Sequence, residues 1–442
     1  MNSIAQCNTP RGIAFSLTAA ADRRGDTRIA KRVINPEVYM RRFIALPLAA
    51  SAAVFASVAF AQSQCQPNFE PVTQLLTASL DTFNLNGAGL QVRQHGVVLY
   101  EQAFGNYTVN TTVPIASASK WLSGAVVMSL VDDGIISLDD TTGQWLGWTG
   151  QKGAITIRQL FSHTSGIEPN TAPCVLDGDA QLQSCAAQIG QLPLSADPGS
   201  EVNYGGNSMQ VAAAICEVAS GAPFAQLYAQ RIRNPIGMTV LTAYTSQTNP
   251  HVAGGMISNL RDYGRFLQTL LNDGTFNGQQ VFSPVAVEAM LADQTSGASV
   301  GEIPPSVPLP FQGYGIGNWV FEKDQNGVSL VNSSPGAFGF TPGIDRSRDV
   351  AMVFLVLSNN QTIQPLMDEL RLRINAAIDA PRPEGDVNGD RRVGLQDLAT
   401  LLSNYGSPRD ASLAQGDIDG DGDIDLSDLS RMLANFGTVC PN

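Results

Sequence analysis

Between residues 70 and 380, strand-like segments lie at the two ends and helix-like segments lie in the middle. "PVTQLLTASLDTF" (71–83) has helical spacing, and "GAGLQVRQHGVVLYEQAFGNY" (87–107) reads as a hairpin with His95-Gly96 at its turn. "PIASASKWLSGAVVMSLVDDG" (114–134) starts a helix that runs to the stop signal Gly134. Residues 135–310 read as helical pieces and loops, with "SNLRDYGRFLQTLLNDG" the clearest amphipathic helix. Strands return in "YGIGNWVFEK", "VSLVNSS", "AFGFTPGIDRS" and "VAMVFLVLSN", and "TIQPLMDELRLRINAAID" closes the domain as a helix. An early hairpin with late partners predicts an α+β fold. Its antiparallel sheet is built from both termini and flanked by helices, with a helical subdomain inserted.

The flanks differ in composition. The formal charge of -13 divides into +5 over residues 1–61, -12 over 62–380 and -6 over 381–442. An acidic body argues against a nucleic-acid partner, which needs a basic footprint. "MRRFIALPLAASAAVFASVAFAQSQ" has a charged start at Arg41-Arg42, an Ala-rich apolar run and an A-x-A site ending at Ala61. That is the layout of a cleaved secretory signal over 40–61, too Ala-rich for a good membrane anchor. Translation is expected to start at Met40, which leaves 1–39 as a non-native or untranslated extension. Residues 62–379 then form the main domain, 380–384 a linker, and 385–442 a separate module. Export permits disulfides. Cys174 and Cys185 bracket a short polar loop and are the leading pair. Cys65 and Cys440 are a second candidate pair, and Cys216 reads as a buried thiol.

The C-terminal module is an internal repeat. "GDVNGDRRVGLQDLATLLSNYG" (385–406) aligns without gaps to "GDIDGDGDIDLSDLSRMLANFG" (416–437), with ten of 22 positions identical. Each copy is an acidic 12-residue loop running into an apolar helix. A calcium loop of the EF-hand type takes side-chain oxygens at positions 1, 3, 5 and 12 and a carbonyl at position 7. The first copy offers Asp386, Asn388, Asp390 and Asp397 with the carbonyl of Arg392. The second offers Asp417, Asp419, Asp421 and Asp428 with the carbonyl of Asp423. Two calcium sites are expected. The helix that normally enters each loop is absent. Half-hands of this kind resemble a type I dockerin, which implies a small all-α EF-hand-like module and a cohesin-type protein partner. Arg391 stands where the turn glycine is expected, whereas the second copy keeps Gly422, so the first site is expected to bind more weakly.

The chemistry of the main domain centres on Ser117 and Lys120. Lysine is scarce, with four in 442 residues. A serine hydroxyl needs a base to attack a carbonyl, and residues three apart share a helix face. Burial lowers a lysine's pKa, so Lys120 is suited to take the proton from Ser117. Ser119 points elsewhere on the helix. No metal or organic cofactor is expected for catalysis. "GASVG" (297–301) fits the G-x-S-x-G elbow, but "EIPPSVPLP" follows it instead of a helix and no histidine occurs after His251. Ser299 is therefore rejected as a nucleophile.

S-x-x-K alone is weakly specific. Its flanks are informative: "IASASKWLSGAVVMSLVDDGIISLDD", "ITIRQLFSHTSGI", "PGSEVNYGGNSMQVAAAICEVASG", "GGMISNLRDYGRFLQTLLNDG" and "PGAFGFTPGID" follow in order. Over residues 70–380 the chain resembles the serine β-lactamase-related family of class C β-lactamases, penicillin-binding DD-peptidases and family VIII-type esterases. The resemblance implies Ser117 as the acylated nucleophile, Lys120 as its activator and Tyr204 as a proton shuttle whose phenolate Lys120 favours. It implies the backbone N–H groups of Ser117 and Ala337 as oxyanion donors. His163, in "SHTSG", reads as a structural loop residue.

Two positions depart from the family pattern. The Y-x-N motif has Gly206 at its third position, with Asn207 one residue late. The third motif, usually Lys or His first, reads Ser334-Pro335-Gly336. Gly206, Ser334 and Gly336 are thus the substrate-facing candidates, without the usual amide and cation. That cation commonly holds a substrate carboxylate. Its loss favours a neutral ester or amide over acidic β-lactams and D-Ala-D-Ala ends. The rival readings are a β-lactamase or DD-peptidase acting on cell-wall-type, peptide-like substrates, and an inactive binding protein of the same fold.

Overall fold

The computed structural model describes residues 67, 69–170, 172–307, 309–379, 383–407, 411–419 and 421–440. The expected signal, the segment before it and Cys65 lie outside the described residues, and of the expected linker only 383–384 are described.

A six-stranded antiparallel sheet organises the main domain. Its strands are β1 (Gly87–Gln94), β2 (Val97–Gly105), β3 (Trp319–Lys323), β4 (Ser329–Ser333), β5 (Thr341–Asp345) and β6 (Val350–Val356), in spatial order β3-β4-β5-β6-β1-β2. The two ends of the domain meet where β1 pairs with β6, from Ala88 opposite Val356 to Gln94 opposite Val350. The hairpin turns at His95 (φ 48°) and Gly96 (φ 78°), the two left-handed residues a tight hairpin turn prefers.

Both faces of the sheet are covered. On one face, α1 (Glu70–Thr82) and α6 (Asn360–Ile378) share a core with the hairpin and β6 that includes Val72, Leu76, Leu90, Phe354, Leu370 and Ile374. On the other face lie α2 (Ser119–Asp132), α3 (Leu182–Ile189), α4 (Asn207–Ser220) and α5 (Leu260–Leu271). Every residue of α2 from Ser119 to Leu130 is buried. A helix enclosed on all sides is apolar all round, which is why this stretch lacks amphipathic spacing. The helix stops before Gly134, whose φ of 68° suits glycine. Cys174 and Cys185 form a disulfide, tying α3 to the turn before it, and Cys216 is a buried free thiol.

The C-terminal repeats place α7 (Leu395–Asn404) and α8 (Leu426–Ala434) over a small core of Val387, Val393, Leu401, Ile424 and Met432. The duplication is visible in the backbone. Gly406 N–H donates to Ile424 O, and its counterpart Gly437 N–H donates to Val393 O, both at 2.8 Å. Each copy thus closes the other's loop in a pseudo-two-fold exchange, and both contribute to the one small core.

Candidate active site

Ser117 sits in a single 3-10 turn, Ala116–Ala118, that feeds α2. The helix proper begins at Ser119, two residues later than the S-x-x-K reading places it. The pair still meets, because residues three apart eclipse in a 3-10 turn. The turn is held tightly. Ala116 has φ 45°, a left-handed conformation that costs a non-glycine residue about 1–2 kcal/mol. Tyr263 OH donates to Ala118 O at 2.7 Å, and Ser334 Oγ donates to Ser117 O at 3.2 Å and Gly317 O at 3.1 Å. A Cβ on Gly336 would lie 2.1 Å from Ile115 O, so only glycine lets that strand end approach. Ser119 is buried, and its Oγ accepts from the Met256 N–H, away from the nucleophile.

Lys120 is 4% exposed. Its Nζ donates to Ser117 Oγ at 3.1 Å and Ala253 O at 2.8 Å, and lies 4.6 Å from the centre of the Tyr204 ring. Among the described residues no carboxylate pairs with it, so burial pushes its pKa down to about 7. Tyr204 hydrogen-bonds Ser117, and burial raises its pKa more than that bond lowers it. The phenolate expected from the resemblance is therefore disfavoured. Tyr204 is thus neutral, and Lys120, with its pKa at about 7, can take up a proton near neutrality.

His163 is buried against Tyr204. Its Nδ1 accepts from Gly205 N–H at 3.3 Å, and its ring packs 4.5 Å from Tyr204 and 4.6 Å from Tyr314. Burial and the nearby Lys120 hold it well below the usual histidine range, so it stays neutral. Tyr204 also stacks on Trp319 at 5.0 Å. This aromatic cluster fixes the phenol against Ser117.

The two departures from the family pattern have structural consequences. Asn207 is buried in the first turn of α4, and its Nδ2 donates to Glu168 O at 2.6 Å, so it cannot replace the missing amide. Gly206 instead leaves room for the loop that holds Lys120. A Cβ there would lie 3.3 Å from Ala253 Cβ and 3.7 Å from His251 Nε2. Ser334 is 2% exposed, with its hydroxyl engaged by the two carbonyls above. It braces the turn that carries Ser117 and is not among the residues lining the cavity beside Ser117, although the sequence reading had it as a contact residue.

Sequence reasoning missed the loop His251–Gly255. The loop wraps the His251 imidazole so closely that a Cβ on Gly254 or Gly255 would fall 2.8 Å from it or its Cβ. This wrapping delivers Ala253 O to Lys120. The only written trace is "HVAGG", a histidine followed by paired glycines. Burial, then Lys120, lower the His251 pKa to about 4.

Ser117, Tyr204, Trp319, Phe321 and Ala337 line a cavity of about 270 Å³, closed by Pro304–Val307 and Asn359–Gln361. None of these lining residues is charged. Ser299 is exposed in a two-residue strand, with its Oγ on Ser200 O at 3.1 Å, and has no nucleophile elbow around it.

In the second C-terminal loop, oxygens of Asp417, Asp419 and Asp421 lie within 4.8 Å of one another, as do those of Asp423, Asp425 and Asp428. Asp425 was not among the expected ligands. In the first loop, Asp397 Oδ1 accepts the N–H groups of Val387 and Asn388, Asp386 accepts those of Gly389 and Arg391, and Asp390 accepts that of Arg392. Arg391 adopts the left-handed φ of 63° that Gly422 has at 91°. Its buried guanidinium donates to Ala377 O and Ile378 O at the end of α6. The arginine thus caps a helix C-terminus, which accounts for its place in a glycine position.

Comparisons with known proteins agree with this geometry. The Beta-lactamase family model matches residues 72–377. Protein Rv1367c of Mycobacterium tuberculosis is 27% identical over 350 residues, covering 62% of this chain and 86% of its own. Penicillin-binding protein 4* of Bacillus subtilis is 23% identical, covering 60% and 66%. A candidate beta-lactamase structure from Bacteroides dorei superposes with a TM-score of 0.63 at 30% identity, covering 70% of this chain and 99% of that one. EstCE1, described as a hydrolase with promiscuous acyltransferase activity, shares the fold at TM-score 0.58 and 20% identity, covering 71% and 99%. The matched residues contain Ser117, Lys120, Tyr204 and the whole sheet, and the chain belongs to the beta-lactamase family of serine hydrolases.

Proposed function

We propose that this protein hydrolyses a neutral carboxylic ester, or less readily an amide, through an acyl-enzyme on Ser117. One observation carries the choice of substrate: among the described residues that line the cavity beside Ser117 none is charged, and the position that usually supplies the cation is the buried Ser334. A substrate carboxylate has no partner there, whereas a neutral ester leaves no buried charge unpaired.

The proposed steps follow from the contacts. Ser117 Oγ attacks the ester carbonyl carbon while its proton passes to neutral Lys120 Nζ. The tetrahedral oxyanion faces the N–H groups of Ser117 and Ala337. Collapse breaks the bond to the alcohol oxygen, which takes its proton from Tyr204 as Lys120 reprotonates the phenol. Water, deprotonated through the same pair, then hydrolyses the Ser117 ester and releases the acid. The test is intact-mass analysis after a serine-directed phosphonate probe. The wild type gains one adduct and Ser117→Ala gains none; an unlabelled wild type favours the inactive binding protein instead.

The C-terminal repeats are proposed to be a calcium-dependent dockerin-like docking module. The donor sets suit calcium, which prefers six to eight oxygens including carboxylates and a carbonyl. Asp386, Asn388, Asp390, Asp397 and the Arg392 carbonyl would hold one ion. Asp417, Asp419, Asp421, Asp428 and the Asp423 carbonyl would hold the other. Exposed apolar residues recur at equivalent places in the two copies: Leu395 with Leu426, Leu402 with Leu433, and Tyr405 with Phe436. Such a surface suits a cohesin-type protein partner. Calcium should order residues 385–437; unchanged hydrogen exchange on chelation would argue against it. Secretion through a signal ending near Ala61 belongs to the same proposal, supported by the Cys174–Cys185 disulfide.

A further inference from the structure

The catalytic cavity does not end at Ser117. Phe321, Pro335, Asn360 and Ser306 line it and also line a second cavity of about 120 Å³, between α6 and the outer face of β3–β6. We infer that this second cavity, a trench continuous with the active site, receives an unbranched apolar chain of the ester that acylates Ser117. The inference rests on the ester-hydrolase reading and adds the class of ester.

The trench exists because α6 lies over β6 and the hairpin, leaving the outer strands partly uncovered. Its floor follows the strand register. Ser333 lies opposite Gly343, and Gly343 lies opposite Met352. Gly343 therefore occupies the middle of the floor with no side chain. Neither backbone nor space demands a glycine there. Its φ is not left-handed, and a Cβ would meet only ordinary contacts, 3.5 Å to Asn332 O and 3.8 Å to Ser333. The missing side chain leaves open volume. Val331 and Met352 flank it, and Met367 and Ile374 of α6 form the wall.

The chemistry of the lining selects the occupant. Floor and wall are mainly apolar, with Ser333 and Thr341 the polar floor residues and Asp345 tied to Arg348 at 2.8 Å, while the rim carries Asp368 and the Glu322–Arg371 ion pair at 3.3 Å. A hydrocarbon chain is covered by the floor and wall, and a terminal carboxylate would meet the acidic rim. An apolar cavity of about 150 Å³ accepts benzene, so 120 Å³ accepts about four methylenes. The chain could belong to the acid or to the alcohol of the ester, and substrate series separate the two.

The experiment measures kcat/KM for p-nitrophenyl esters from acetate to dodecanoate, and for alkyl acetates of rising alcohol length, each below its micelle concentration. In one series the wild type should gain about two- to fourfold per methylene over about four methylenes and then level off. Gly343→Phe fills the trench, and Met367→Asp makes its wall polar; each should bring the long-to-short ratio close to one. A flat ratio in both wild-type series, or a rise that both folded variants leave intact, overturns the inference. Calorimetric binding of straight-chain alkanols to the full chain separates this failure from that of the hydrolase reading. Affinity that grows with length and is lost in Gly343→Phe supports the trench even if no ester is turned over. Turnover of esters without such binding overturns the trench alone.

Discussion

The depressed pKa of Lys120 should be measurable twice, once in rate and once in stability. In the rate, the acylating form needs Lys120 neutral. With its pKa at about 7, roughly one molecule in ten is competent at pH 6 and nine in ten at pH 8. For a neutral ester, kcat/KM should fall about tenfold per unit below pH 7 and level off above it. The neighbouring groups do not titrate in this window: His251 is near 4, His163 lies well below its usual range, and Tyr204 lies above its own. In stability, the folded pKa lies below the ordinary 10.5, so between the two values the folded chain binds fewer protons than the unfolded one. Lys120 therefore costs stability. The cost is complete below pH 7, about 5 kcal/mol, and fades as pH rises toward 10.5; at pH 9 about 2 kcal/mol remains. Lys120→Met removes this cost but orphans Ala253 O, a loss of about 1–3 kcal/mol. The variant should be inactive, more stable than wild type by about 3 kcal/mol at pH 6, and near wild type at pH 9. The assays are ester hydrolysis from pH 5 to 10 at fixed ionic strength and urea unfolding at the two pH values. A rate midpoint near 10, or a Lys120→Met stability change independent of pH, would refute the reasoning.

Three further substitutions test the surrounding geometry. Ser334→Ala removes the hydrogen bonds to Ser117 O and Gly317 O; stability should drop by about 1–2 kcal/mol, and kcat should fall with KM little changed, read by steady-state kinetics and urea unfolding. Gly206→Asn restores the family amide but brings a Cβ within 3.3 Å of Ala253 Cβ, so ester kcat/KM should fall and its pH midpoint should move as the Lys120 contact shifts; an activity gain would contradict this. Arg391→Gly relieves the left-handed backbone by about 1 kcal/mol but uncaps Ala377 and Ile378, whose bonds to a charged group are worth about 1.5–3 kcal/mol each. Net destabilisation in urea is expected, and a net stabilisation of about 1 kcal/mol would show that the cap contributes nothing.

Local features were the legible ones. The hairpin at His95-Gly96, the enclosed helix after Ser119 and the duplicated acidic loops each write their geometry into a few consecutive residues, through spacing, glycine placement or repetition. Ser117 and Lys120 were legible for the same reason, since three residues of separation fix their meeting in either a 3-10 or an α turn. Tyr204 lies far along the chain and was found only through its motif. What the sequence did not disclose depends on backbone atoms and on space. Ala253 O, 133 residues from Lys120, is the nearer of its amine's two hydrogen-bond partners, yet a carbonyl is present at every residue and carries no signature.

The same reasoning explains why the departures from the family pattern were harder to interpret than to find. Gly206 and Ser334 read as losses when only their side chains are considered. In three dimensions each has a neighbour that makes the small residue fit: Ala253 crowds Gly206, and two carbonyls engage Ser334. Arg391 is the converse, a large residue in a glycine conformation whose side chain caps α6. Burial beside Ser117 lowers the Lys120 pKa, so the folded chain gives up stability at low pH to hold this lysine there. Under the proposed hydrolysis that cost has a use, since it leaves Lys120 able to take up a proton near neutrality, whereas methionine at the same position would be the more stable choice.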